Sequence, residues 1–163
     1  MPVALYRIDD RLIHGQVVVG WGQPLDLGFI VLVDDVVADS DWEQELYRMG
    51  VPPSMDVYFA SMRDAARDMS QYVSDRRTGM VLTGTVDAML ELARASAAQI
   101  RAVNVGGLHH REDRTQRLRY VFLNPSEEAS LRALRALGVT VTAQDVPSAA
   151  SHTLDELLRD CDT

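Results

Sequence analysis

The run Phe29-Ile-Val-Leu-Val33 contains no polar residue and ends on Asp34-Asp35; runs of related character recur at Val3–Ile8, Asp56–Ala60, Met80–Thr83, Ile100–Val105, Arg119–Leu123 and Val139–Thr142. Several are continuous rather than alternating, which suits strands covered on both faces and so a parallel sheet between helices. Between them the apolar spacing becomes helical at Asp41–Met49, Ser61–Val73, Val86–Ala97 and Ser126–Leu137. The last has Pro125 ahead of it, Glu127 and Glu128 in its first turn, and Gly138 as its stop. This β-α-β-α alternation, joined by right-handed crossovers, predicts an α/β fold: a three-layer α/β/α sandwich with a mostly parallel central sheet of about six or seven strands. The 163 residues fit one domain spanning 1–163, with a short C-terminal tail from about residue 148. Val51-Pro-Pro-Ser54 reads as a rigid connection inside that domain. In the tail, Leu154 to Leu158 makes a short amphipathic turn and His152 reads as a surface histidine.

In such sheets ligands collect outside the carboxyl ends of the strands. The loops expected there carry Asp9 to His14, Asp34-Asp35, Thr83-Gly84-Thr85 and Asn104-Val-Gly106-Gly107. Helix capping is the first expectation for Asp34, Asp35 and Thr85. The first loop says more. His14 falls between a strand and a short helix with its body at Val17 to Trp21, so free N–H groups and the positive end of the helix dipole favour a dianion beside it. An imidazole that itself carried a phosphoryl group would need no metal or cofactor there. Asp9 and Asp10 can orient a ring N–H, Arg11 can pair with phosphate through its planar fork, and Gly15 lets the backbone approach closely. Gly106 and Gly107 can bring further amides to a phosphate. The same residues also make an ordinary turn, with the aspartates as turn formers and Arg11 paired to one of them.

Every one of the 16 basic residues is an arginine. Without lysine there is no Walker-type phosphate loop, no receiver-domain lysine to accompany Asp34-Asp35, and no Schiff base. A net charge of −8 argues against nucleic acid as a partner. Arg111, Arg114, Arg117 and Arg119, beside His109 and His110, form a local basic cluster that reads as a solvated loop slightly ahead of a docking patch. Cys161 is the single cysteine, so no intramolecular disulfide is expected. Met-Pro-Val-Ala-Leu-Tyr-Arg is too soon charged for a signal peptide, and no run approaches the roughly 20 apolar residues of a membrane span, so the expected location is cytoplasmic. A homodimer is the ordinary prior for such a protein.

Together, Arg7-Ile-Asp-Asp-Arg-Leu-Ile-His14-Gly-Gln-Val17, Val33-Asp34-Asp35, Asn104-Val-Gly-Gly-Leu-His109 and Gly138-Val-Thr-Val-Thr-Ala-Gln-Asp-Val-Pro147 resemble the IIB component of the mannose/fructose/sorbose branch of the bacterial sugar phosphotransferase system. The match runs from near the start to about Pro147. The resemblance implies a phosphocarrier enzyme, a protein-phosphohistidine–sugar phosphotransferase. It would be phosphorylated by a IIA component and would pass the phosphoryl group to a sugar entering through the membrane components IIC and IID, at the inner face of the plasma membrane. His14 matches the family's phosphohistidine, with Nδ1 as the implied acceptor atom. Asp10, Arg11, Gly15, Gln16, Gly106 and Gly107 are the expected phosphate-supporting residues. Where the family commonly has lysine and proline after the fourth strand, this chain reads Val81-Leu-Thr-Gly84-Thr85-Val-Asp87. The competing reading is a regulatory phosphohistidine module of the same fold, signalling to a protein partner without sugar transport.

Overall fold

A computed structural model describes residues 3–96 and 99–159. The end of the helix expected to reach Ala97, and Cys161, lie outside the described residues. The chain builds a seven-stranded sheet in the order β3-β2-β4-β1-β5-β8-β9. Its strands are β1 Val3–Ile8, β2 Phe29–Val33, β3 Asp56–Ala60, β4 Gly79–Thr83, β5 Ala102–Val105, β8 Thr140–Ala143 and β9 His152–Thr153. All pairings are parallel except β8 with β9.

The expected three-layer sandwich is present, and side-chain alternation along the central strands shows why. Phe29, Val31, Val33 and Val81 face one layer, built from α3 Met62–Ser74, α4 Val86–Ala95, α5 Pro125–Ala136 and α6 Leu154–Leu157. Ile30, Leu32, Met80 and Leu82 face the other, where Val17, Val18, Trp21 and Val37 come from a π-helix at Gln16–Trp21 and from α1 Asp35–Ala38, ahead of α2 Asp41–Met49. Every residue of β2 and β4 is buried, which is why their sequences carry no polar alternation.

Helix starts follow local chemistry. Ser40, Ser61, Thr85 and Asn124 each accept a backbone N–H from three residues on, and Asn124 with Glu127 completes a reciprocal capping box. Asp34 caps α1 through the Val37 N–H at 2.9 Å. Asp35, expected to cap its own helix, instead accepts the Met62 N–H at the start of α3 at 2.8 Å.

One expected strand is misplaced by the sequence reading. Arg119–Leu123 does not join the main sheet; Val121–Leu123 (β7) pairs antiparallel with Thr115–Leu118 (β6) in a separate ribbon. Val121 and Leu123 are buried while Phe122 between them is half-buried, so the run alternates, as a strand with only one covered face does. The ribbon is fastened through Leu108, whose N–H donates to the Tyr120 carbonyl at 2.9 Å and whose carbonyl accepts from Phe122 at 2.8 Å. The tail after residue 148 closes the sheet edge through β9 and buries Leu154 and Leu157.

Registers align the strand ends: Ile8 pairs with Thr83 and Val105, Val33 with Thr83 and Ala60, and Val105 with Ala143. The loops after these strands therefore open at one level, and the loop after β1 is flanked by those after β4 and β5.

Candidate functional site

β1 ends by handing Asp9 into a tight turn. The Asp9 N–H donates to the Thr83 carbonyl at 2.9 Å and the Asp10 N–H to the Gly107 carbonyl at 2.8 Å, so the neighbouring strand ends pin the turn on both sides. Leu12 then adopts φ +59°, a left-handed conformation rarely used by a branched residue. Its side chain occupies space that only a glycine at position 84 leaves open, since a Cβ there would lie 2.8 Å from Leu12 Cδ2. Chain reversal at Leu12 brings His14 back over Asp9.

His14 is the centre of the site. Its Nε2 lies 3.1 Å from Asp9 Oδ2, its side chain keeps 16% of its surface exposed, and Nδ1 has no hydrogen-bond partner among the described residues. Beside a carboxylate, Nε2 carries the proton as donor, and the lone pair then sits on Nδ1. The His14 carbonyl accepts from both Val17 and Val18 N–H groups at 3.0 Å, which ties it to the π-helix that follows at Gln16–Trp21. The N–H groups of Gly15 and Gln16 have no acceptor among the described residues. π-Helical turns are uncommon and cluster at functional sites.

Asp9 is fully buried yet charged. Burial alone pushes its carboxyl up, but the hydrogen bond and charge of His14, the charge of Arg7 and the Arg11 N–H (3.1 Å from Oδ1) together hold it below the ordinary aspartate range. Arg7, also fully buried, is the nearest fixed cation, with Nη2 3.5 Å from Asp9 Oδ2.

The other expected residues divide. Arg11 is exposed, and its Nη2 donates to Gln16 Oε1 at 3.1 Å, so the two flank the mouth of the turn together. Gly15 has helical φ and ψ with open space at its Cβ position. Asp10 turns to the β5 side, accepting the His109 N–H at 2.8 Å and facing His109 Nδ1 at 2.5 Å. A Cβ on Gly106 would lie 2.3 Å from Arg7 Nη2, so that glycine makes room for a guanidinium. Gly107 directs its N–H at Asp9 Oδ2, 3.4 Å away. Thus Asp10, Gly106 and Gly107 support the loops and the Asp9 carboxylate, while Arg11, Gly15 and Gln16 border His14.

The basic cluster is mostly neutralised. Arg114 is buried, forms a two-pronged pair with Glu127 (2.9 and 2.6 Å) and donates to the His109 carbonyl at 2.8 Å; Arg117 pairs with Glu128 and Arg119 with Asp145. Arg7, with its partners Asn104 and Asp145, was not singled out from the sequence. The signal was there: an arginine inside the apolar run Val3–Ile8, two residues before Asp9 and so on the same face of the strand.

Among the described residues no helix is long and apolar enough to cross a membrane. Residues 3–163 match the profile of the PTS system sorbose subfamily IIB component. The chain is 31% identical over 158 residues to the sorbose-specific EIIB component of Klebsiella pneumoniae, covering 96% of each. The crystal structure of the IIBSor domain of the sorbose permease from that organism superposes with a TM-score of 0.86 at 31% identity, over 99% of this chain and 100% of that one. The mannose-specific EIIAB component of Escherichia coli K12 is 29% identical over 148 residues, which are 90% of this chain and 45% of that protein. The fold, the profile and these relatives agree, and the chain belongs to the sorbose-subfamily IIB components of the sugar phosphotransferase system.

Proposed function

We propose that His14 is the phosphohistidine of this phosphotransferase, accepting the phosphoryl group at Nδ1 from a IIA component and passing it to a sugar. The observation that carries this reading is the pairing of His14 Nε2 with the buried Asp9 carboxylate, which fixes the tautomer and leaves Nδ1 as the free lone pair. When Nδ1 attacks the phosphorus of the donor phosphohistidine, the new N–P bond forms as the old one breaks. The ring becomes cationic, and Asp9 stabilises that charge through the Nε2–H. The unpaired amides of Gly15 and Gln16 and the guanidinium of Arg11 supply donors for the phosphoryl oxygens. In the second transfer a sugar hydroxyl oxygen attacks phosphorus and loses its proton, and Nδ1 departs with its electron pair as a neutral imidazole. Such transfers need mainly alignment and charge stabilisation.

The IIA partner is supported by the EIIAB relative, whose name joins both components in one chain. By extension the sugar is delivered through membrane components IIC and IID, with this chain working at the cytoplasmic side. A regulatory module of the same fold has no comparable support. The deciding experiment is acid-labile phosphate incorporation into wild-type and His14→Ala protein, given phosphoenolpyruvate, enzyme I, the histidine phosphocarrier protein and a sorbose- or mannose-type IIA. Incorporation lost only in the variant is expected; label retained by His14→Ala would remove His14 from the reaction.

A further inference from the structure

We propose that Arg7 is a positioning residue for phosphoryl transfer, one buried side chain that fixes both elements between which His14 is held; this rests on the reading of His14 as the phosphoacceptor. Its guanidinium reaches Asp9 on one side, at 3.5 Å. On the other side it lies over the Trp21 ring, with Cζ 5.1 Å from the centroid. Trp21 is the last residue of the π-helix that starts behind His14. Asp9 holds the His14 ring, and the π-helix holds the His14 carbonyl. Arg7 therefore sets the spacing between the carboxylate in front of the imidazole and the helix behind it.

The rest of its environment is built to stop the guanidinium from moving. Nη1 donates to Asn104 Oδ1 and to the Gln144 carbonyl at 2.9 Å, and Nη2 donates to the Asp145 carbonyl at 3.1 Å. The Trp21 indole N–H donates to that same Asp145 carbonyl at 3.0 Å, closing a ring of contacts from β1 to the π-helix to the loop after β8. Gly106 leaves the volume the guanidinium fills. A cation at 0% exposure is costly to bury, and an apolar pair of similar volume in place of a buried ion pair such as Arg7 with Asp9 is often no less stable. Stability alone is a weak reason for it here. What an apolar residue could not do is pin a carboxylate and stack on an indole at once, which a rigid planar fork does.

The test uses the full chain with 15N-labelled histidine and reads two quantities. One is the His14 tautomer by imidazole 15N shifts, which needs no partner protein. The other is the single-turnover rate of phosphorylation by phosphorylated IIA. In Arg7→Met the tautomer should become a mixture of Nε2–H and Nδ1–H forms, and the rate should fall roughly 10- to 100-fold, the usual effect of losing a group that orients a reacting one. Arg7→Lys, with charge but no fork, should not restore either quantity. If Arg7→Met does not fold, Asn104→Ala removes one tether without removing the cation and should shift both readouts in the same direction. A folded Arg7→Met, or Asn104→Ala in its place, with wild-type tautomer and wild-type rate overturns the proposal. Absence of His14 labelling in wild type, with tautomers that respond to Arg7, would instead strike the assignment of His14 as phosphoacceptor.

Discussion

Asp9 Oδ2 lies 3.1 Å from His14 Nε2, and this buried carboxylate decides which ring nitrogen of His14 carries the lone pair. The arrangement matches the aspartate–histidine half of a hydrolase triad, where the carboxylate selects the tautomer and steadies the imidazolium.

Asp9→Asn should therefore keep the shape of the site and lose its chemistry. An amide accepts a hydrogen bond less well and carries no charge, so phosphorylation of His14 should slow by at least about 10²-fold, given the roughly 10⁴-fold cost of the same change in a triad. Single-turnover transfer from phosphorylated IIA measures it; an unchanged rate would make Asp9 a structural carboxylate.

The same residue gives a pH dependence of stability. Asp9 titrates lower in the folded chain than in the unfolded one. Its contribution is therefore complete above the unfolded pKa of about 3.9, declines as the pH falls from there toward the folded value, and is absent below it. Urea unfolding of wild type and Asp9→Asn should show a stability gap at neutral pH that closes under acid. A gap independent of pH would show that charge is not its source.

Arg11→Ala should slow phosphorylation by about 10²-fold, the effect of removing one charge-stabilising donor. Its guanidinium is exposed and contacts Gln16, so unfolding midpoints should not move. A normal transfer rate would confine Arg11 to holding Gln16.

Gly106→Ala and Gly15→Ala make a contrasting pair. The first puts a Cβ 2.3 Å from the Arg7 guanidinium and should destabilise by about 1–3 kcal/mol, the usual cost of overpacking. The second enters open space in helical geometry and should be neutral or stabilising by up to about 1 kcal/mol. Chemical denaturation of both settles the comparison, and equal effects would contradict the packing argument.

Arg114→Ala should cost about 3–5 kcal/mol, because it leaves Glu127 and Asp10 as partly buried carboxylates without their cation. Thermal unfolding would show it as a lowered midpoint; a loss below about 1 kcal/mol would place Arg114 among ordinary surface pairs.

The sheet was legible in the sequence wherever strands are covered on both faces, as at Phe29–Val33, since a continuous apolar run has few alternatives there. Helix starts were legible because capping is local: Asn124 and Glu127 are three residues apart. The family was legible in motifs of a few consecutive residues, one of which contains His14. The tertiary structure alone decided the charge partners that lie far apart in sequence, and which of two adjacent aspartates faces His14. Asp9 and Asp10 are adjacent, but their side chains leave on opposite sides, one to His14 and the other to His109. Gly106 serves Arg7, ninety-nine positions earlier, because β1 and β5 lie side by side. Arg119–Leu123 leaves the main sheet for a ribbon docked on Leu108. Local sequence encodes backbone preference and burial, which act over a few residues. Charge pairing between separate elements and the choice of strand neighbour depend on groups brought together only when the chain closes, and no short window of sequence contains them.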